Sequence, residues 1–161
     1  MSDIKSDVKL PAPEFEKLCR AEVLLLDAYP LGEVGTGYSE IVAVTGGSVE
    51  GRINGKILSF GGDWGLLHSG SVNEINTRFL IETDDGAYIS VETKGKLIMD
   101  METMEQVSTG NPDGVSDYYF RTSVFFKARA EKYRWLNDKA AFAVAAITDE
   151  GNVVQDMYIL Q

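Results

Sequence analysis

Apolar and polar residues alternate with a period of two along much of this chain, most clearly from Asn76 to Gly95, NTRFLIETDDGAYISVETKG. Two β-rich runs flank Asp84-Asp85-Gly86, and Asp-Gly between alternating runs is a strong hairpin signal. With a two-residue loop, even positions pair with odd ones. One face then carries Arg78, Leu80, Glu82, Ala87, Ile89, Val91 and Thr93, and the other carries Phe79, Ile81, Thr83, Tyr88, Ser90 and Glu92. Each face mixes apolar with polar or charged residues. That pattern predicts that both faces are covered and that one lines the lumen of a small barrel.

The remaining elements fit the same architecture. Residues 1–20 read as an N-terminal extension held extended by Pro11 and Pro13, and residues 21–161 as a single barrel domain. Glu22 to Tyr29 is a continuous apolar run suited to a strand buried on both faces. Pro30 to Gly37 reads as a loop, Tyr38 to Thr45 as a strand, and Gly46-Gly47 as a bend. Ser48 to Leu58 is strand-like but interrupted at Asn54-Gly55, where a turn or bulge is expected. A short strand follows Asp63-Trp64 and reaches Leu67. Asp100 to Ser108 carries an N-cap and Met101, Met104 and Val107 at helical spacing, with Gly110 beyond its end. Asn111 to Ser116 is a loop and Tyr118 to Phe126 a strand with Tyr119, Arg121 and Ser123 on one face. Lys127 to Leu136 has a helical pattern in which Phe126, Ala130 and Tyr133 share a face. Ala141 to Thr148 and Val153 to Leu160 form a closing hairpin. The prediction is an all-β protein: a single antiparallel β-barrel of about eight or nine strands in meander order, with one or two short α-helices packed outside.

Composition narrows the function. At 161 residues the chain is long enough for one domain that buries roughly two-thirds of its unfolded surface. Fifteen basic residues against twenty-five acidic ones give a net charge of −10, with no basic cluster to offset it. Nucleic acid and anionic membrane surfaces are therefore not expected as partners. The single cysteine, Cys19, rules out an intrachain disulfide and reads as a small buried apolar residue. The N-terminal segment lacks the apolar core of a signal peptide, and the longest apolar run, Ala140 to Ile147, is too short to span a bilayer. A cytoplasmic location is the expectation.

Standard catalytic signatures are absent: there is no P-loop, dinucleotide fingerprint, GxSxG or HExxH. His68 is the only histidine and reads as a turn residue, so no multi-histidine metal site can form, and no metal ligand set is expected among the carboxylates. What remains is cofactor-free chemistry or plain binding. Arg78 and Arg121 sit within apolar strands, where an unpaired charge is costly. They either pair with Glu50, Glu82 or Glu92, or receive a ligand carboxylate through their planar fork. Tyr88, Tyr119 and Tyr133 are amphipathic wall residues or proton carriers. Trp64 and Trp135 pack in the core or stack on an aromatic ligand.

The segments TGGSVEGRINGKIL, GGDWGLL, TDDGAYISVETKG, YYFRTSVFF and YRWLN follow one another in an order and spacing that resembles domain-of-unknown-function family 3237, also called uncharacterised protein family 0311. The resemblance runs from about Glu22 to the C-terminus. Departures are Gly62 where Ala is common, Thr93-Lys94 for Asn-Arg, and Lys127-Ala128 for Glu-Thr. The resemblance implies a compact β-barrel without a prosthetic group, and, by likeness to a few members, a cofactor-independent lyase that decarboxylates a phenolic carboxylic acid such as a lignin-derived dimer. A para-phenolate can act as the substrate's own electron relay, so the protein needs only a carboxylate anchor, a proton carrier and a dry aromatic pocket. On that expectation Arg78 and Arg121 are anchors, Tyr88, Glu92 and Tyr119 handle protons, and Trp64, Asp63 and Glu50 complete the substrate-binding set. No cofactor or metal is expected. The alternatives are a cofactor-free isomerase or cyclase and a non-catalytic small-molecule carrier. Apolar residues on both hairpin faces also predict a homodimer or higher homo-oligomer, which would bury what two short helices leave uncovered.

Overall fold

The computed structural model describes residues 7–68, 70–108 and 118–161. Nine antiparallel strands follow the chain: β1 (Phe15–Leu25), β2 (Tyr29–Glu33), β3 (Tyr38–Gly51), β4 (Gly55–Leu67), β5 (Val72–Thr83), β6 (Tyr88–Ile98), β7 (Tyr119–Ala128), β8 (Ala141–Ile147) and β9 (Val153–Leu160). Strands β3 to β9 pair in sequence order, and β1 closes the sheet by pairing with both β9 and β3. The result is a closed eight-stranded meander barrel with β2 outside it, held only to β3. One α-helix, α1 (Met101–Ser108), follows β6, and a 3-10 turn (Arg134–Asp138) follows β7. The Asp100 carboxylate accepts the Thr103 amide at 2.7 Å, so it caps α1 as its sequence position suggests. Asn111 to Ser116 and the glycine after α1 lie outside the described residues.

Four expectations are corrected. The barrel begins at Phe15, inside the segment read as an extension. Leu18, Cys19, Ala21 and Val23 of β1 are buried, because EKLCRAEV alternates as a strand covered on one side does. The apolar run to Tyr29 is not one strand. β1 ends at Leu25 after a register shift, residues 26–28 leave the sheet, and β2 takes up part of the expected loop. The helical pattern of 127–136 is also overridden. Strand β7 runs to Ala128, whose amide and carbonyl are both held by the Asn137 side chain at 2.9 and 2.7 Å. That bracket turns Tyr133 and Leu136 under the barrel, where Leu136 is 1% exposed.

The fourth correction decides which residues face inward. The β5–β6 hairpin has a three-residue loop, not two. The Gly86 amide donates to the Thr83 carbonyl, the Thr83 amide donates to the Ala87 carbonyl, and Gly86 takes φ +84°. This is a type I turn closed by a left-handed glycine. Thr83 is itself buried, and its hydroxyl accepts the Ala87 amide at 2.8 Å. Odd positions therefore pair with odd ones: Ile81 with Ile89, Phe79 with Val91, Thr77 with Thr93. All of these point inward, whereas Arg78, Glu92, Tyr88, Glu82 and Ser90 point outward. One extra loop residue moves a whole strand face from core to solvent.

Side-chain size along the barrel explains where it is filled. At the end carrying the β3–β4 turn, the β5–β6 turn and the 3-10 turn, Ile53, Ile57, Ile81, Ile89, Phe126, Leu136, Met157 and Ile159 form a continuous core. Each such side chain contributes about 1.5–3 kcal/mol by burial. Toward the other end the inward positions shrink. Thr77 pairs with Thr93, Gly95 with Thr122, and Thr122 with Ala143. Side chains this small cannot meet across the barrel, so that half is hollow. Among the described residues no helix is long and apolar enough to cross a membrane.

Candidate functional site

The hollow half of the barrel encloses a cavity of about 660 Å³, a size suited to a small organic ligand. One side is apolar, formed by Leu97, Met99 and Phe120 with Met104 and Val107 from α1. The helix spacing of Met104 and Val107 thus packs α1 over the mouth. The opposite wall is polar and comes from β3, β4 and β5, with Tyr38, Glu40, Asp63 and Thr77. Thr93, Thr122 and Gln155 continue this polar lining around the barrel.

Asp63 has the most specific environment in the cavity. It lies directly across from Thr77 in the β4–β5 ladder. Its Oδ1 accepts two hydrogen bonds, from the Thr77 hydroxyl at 2.7 Å and from the Asn76 amide at 3.0 Å. Oδ2 accepts none from any described residue. A Cβ placed on Gly65 would stand 3.0 Å from Oδ2, so the missing side chain at Gly65 keeps space open on that side of the carboxyl. Burial pushes the Asp63 carboxyl above the ordinary carboxylate range, and the two hydrogen bonds to Oδ1 only partly oppose this. A carboxyl with one oxygen fixed, the other free and a raised pKa is equipped to take and return a proton.

The other cavity charges share one sign. Asp27, Glu40, Asp149 and Glu150 line the cavity or its mouth with Asp63; Glu74 borders it from the outward face of β5 with its carboxylate on His68 and Lys96, and no Lys, Arg or His is among the described lining residues. Among the described residues no group of three or more His, Cys, Asp or Glu is placed to hold a metal ion.

Of the eight residues singled out from the sequence, Asp63 faces the cavity. The others are on the outer wall. Arg78 sends both Nε and Nη2 to Glu92 Oε1, at 3.2 and 3.0 Å, and Lys94 reaches the same oxygen at 3.2 Å. Those cations hold the Glu92 carboxyl below its usual range. Tyr88 and Glu50 are exposed, and Trp64, expected as a cavity wall, lies outside over Gly62. Tyr119 and Arg121 line a separate outer groove. The parity of β5, β6 and β7 is the reason: inward positions are odd in β5 and β6 and even in β7. Sequence reasoning missed Thr77, Thr93, Thr122, Glu40 and Gln155. The available signal was the row of threonines at inward positions beside an aspartate in a glycine-rich strand.

A family described as "protein of unknown function (DUF3237)" matches residues 13–160, the whole barrel. The chain belongs to that family. It is 33% identical over 132 residues to the UPF0311 protein blr7842 of Bradyrhizobium diazoefficiens, covering 82% of this chain and 86% of the relative. Among solved structures, a β-barrel-like protein from Acinetobacter baumannii AYE superposes with a TM-score of 0.83 at 35% identity, over 95% of this chain and 99% of that one. A protein from Penicillium herquei, described as an enzyme, shares the fold with a TM-score of 0.72 at 20% identity, over 97% of this chain and 100% of that one. This DUF3237 chain therefore carries its Asp63 cavity on a barrel common to the family.

Proposed function

We propose that this DUF3237 protein is a cofactor-free acid–base enzyme, an isomerase or cyclase, acting on a neutral aromatic or hydroxylated small molecule in the barrel lumen. The observation that carries the proposal is Asp63: Oδ1 anchored by Thr77 and the Asn76 amide, Oδ2 open beside Gly65, and the carboxyl desolvated. A mere carrier gains nothing from such a group, because an ionisable side chain held away from water costs stability. The Penicillium herquei protein called an enzyme has the same fold, which is compatible with catalysis on this barrel.

In a ring closure of this kind the substrate hydroxyl gives its proton to Asp63 Oδ2 as its oxygen bonds to one carbon of a conjugated C=C bond, whose π electron pair shifts to the neighbouring carbon. The protonated carboxyl then returns that proton to the neighbouring carbon. Thr77 keeps the carboxyl oriented throughout, and the apolar side from Phe120 to Val107 holds the ligand body and excludes water. Isomerisation uses the same two transfers without forming a ring.

The acidic lining favours this reading over decarboxylation. A substrate carboxylate would enter a cavity with five acidic side chains at its wall or mouth and no described cation among its lining residues. The arginines expected to anchor it are outside. The test is incubation of purified protein with neutral phenolic ketones and alkenyl phenols, with product mass as the readout. Turnover at unchanged mass, lost in Asp63→Asn, is expected. Release of CO2 from aromatic acids, or full turnover by Asp63→Asn, would replace the proposal.

A further inference from the structure

The outer wall of β6, β7, β8 and β9 carries a second concavity, of about 580 Å³, that the lumen reading does not use. Two outward cross-strand rows build it. In one, Lys94 pairs with Ser123, Ser123 with Phe142, and Phe142 with Tyr158. In the other, Lys96 pairs with Arg121, Arg121 with Val144, and Val144 with Asp156. The first row ends on aromatic rings, extended by Phe15, which meets Phe142 edge-on at 6.0 Å between centroids. The second is centred on a guanidinium.

Arg121 differs from the charged side chains around it. Glu92 is taken by Arg78 and Lys94, Glu74 by His68 and Lys96, and Asp156 by Arg20 and Lys17. Arg121 has no carboxylate partner among the described residues. Its Nη1 donates to the Phe120 carbonyl at 2.9 Å, and its Cζ sits 5.3 Å from the centre of the Tyr119 ring. Those contacts fix the guanidinium plane while leaving donors on its other edge. A fixed planar fork beside exposed aromatic rings has the chemistry that recognises an aromatic carboxylate: charge-assisted hydrogen bonds at one end and ring contacts at the other.

We propose that this groove is a binding site for a small aromatic carboxylate, distinct from the lumen, with Arg121 holding the carboxylate and Phe142, Tyr158 and Phe15 holding the ring. Lys94 and Lys96 lie at its edge and add a favourable field, although each is already engaged with a glutamate. The charge logic is the reverse of the lumen's. A protein of net charge −10 keeps anions out of its cavity yet presents one cationic aromatic groove on the outside.

The probe is 2-naphthoate, titrated by its own fluorescence, with neutral 2-naphthamide as the isosteric control. Saturable one-to-one binding is expected for naphthoate, at least tenfold weaker for the amide, and weakened by added salt. Arg121→Gln should raise the Kd at least tenfold, with Arg121→Lys between it and the unmodified protein. Phe142→Glu, at a half-exposed position that tolerates charge, should abolish binding by like-charge repulsion without touching Arg121. Asp63→Asn should leave naphthoate binding unchanged, which separates this groove from the lumen. Equal affinity in Arg121→Gln and the unmodified protein, or a naphthoate affinity that changes in either direction in Asp63→Asn, would overturn the proposal.

Discussion

Asp63 on β4 and Thr77 on β5 are direct cross-strand partners, and the Thr77 hydroxyl donates to Asp63 Oδ1 at 2.7 Å while Oδ2 is left unengaged by any described residue. The same oxygen, Oδ1, also receives the Asn76 amide. An asparagine at 63 can keep both hydrogen bonds through its single carbonyl oxygen, so Asp63→Asn removes the charge and the exchangeable proton while preserving the local geometry.

The sign of its stability effect follows from the raised pKa. Between the ordinary carboxyl value, about 4, and the raised folded value, the native chain binds more protons than the unfolded one. Stability therefore falls as pH rises through that window and stays lower above it. Asp63→Asn lacks this penalty. Its melting temperature should exceed that of the unmodified protein at pH 7, and the gap should close as pH falls below about 4. A variant that is more stable and inactive marks a functional site. A lower melting temperature at pH 7 would mean that the carboxylate is a structural group.

Gly65 gives a second, independent test of the same site. Its φ lies outside the left-handed region, so alanine meets no backbone strain, but the new Cβ would stand 3.0 Å from Asp63 Oδ2. The carboxyl must then give by a few tenths of an ångström at the atom proposed to carry the proton. We expect Gly65→Ala to melt close to the unmodified protein and to lose activity on the order of tenfold, as small misplacements of reacting groups do. An unchanged rate with intact folding would show that the space beside Oδ2 is not used.

The barrel itself was legible because period-two alternation survives in β5, β6 and β7 and Asp-Gly marks the central turn. Which face is the lumen was not, because Asp84-Asp85-Gly86 accommodates a loop of two residues or of three. That choice is made by the buried Thr83 hydroxyl and the left-handed Gly86, neither of which alternation reveals. Arg78, Tyr88 and Glu92 therefore fall on the outer wall. On β7 the polar set Tyr119, Arg121 and Ser123 drew attention as a pocket face, whereas its cavity-lining residues are Phe120 and Thr122. Asp63 entered the candidate set with the GGDWGLL segment that carries the family resemblance. Its partner Thr77 did not, since threonine is ordinary in strands.

The turn makes a prediction of its own. Gly86→Ala forces a side chain into φ +84° and should cost about 1 kcal/mol. Thr83→Val removes the acceptor of the Ala87 amide at a site 3% exposed and should cost about 1–3 kcal/mol. Urea unfolding monitored by tryptophan fluorescence reads both. Losses below about 0.3 kcal/mol in both variants would mean that the loop does not hold the register.

The last prediction concerns β2, whose outer edge is paired with no other described strand; the eight barrel strands each have neighbours on both sides. A free edge is a template for pairing with another chain, and Pro30 limits how much of it can donate. Beside that edge runs an outward apolar row across three strands, because Tyr29 pairs with Ile41 and Ile41 with Trp64. Tyr29 is 62% exposed and Trp64 47%, with Leu31 and Val34 also exposed nearby. Such a contiguous surface is rare on a monomer, and two copies related by a twofold axis would cover it with the same patch on each. We therefore expect light scattering at micromolar concentration to return twice the monomer mass. Leu31→Glu and Trp64→Glu should shift it to the monomer, because each places a charge in the covered row while leaving the barrel core untouched. The outer groove at Arg121 lies on β6 to β9, away from β2, so naphthoate binding should survive the shift. A monomer mass for the unmodified protein, or a dimer that persists in both variants, would remove β2 and Trp64 as the interface.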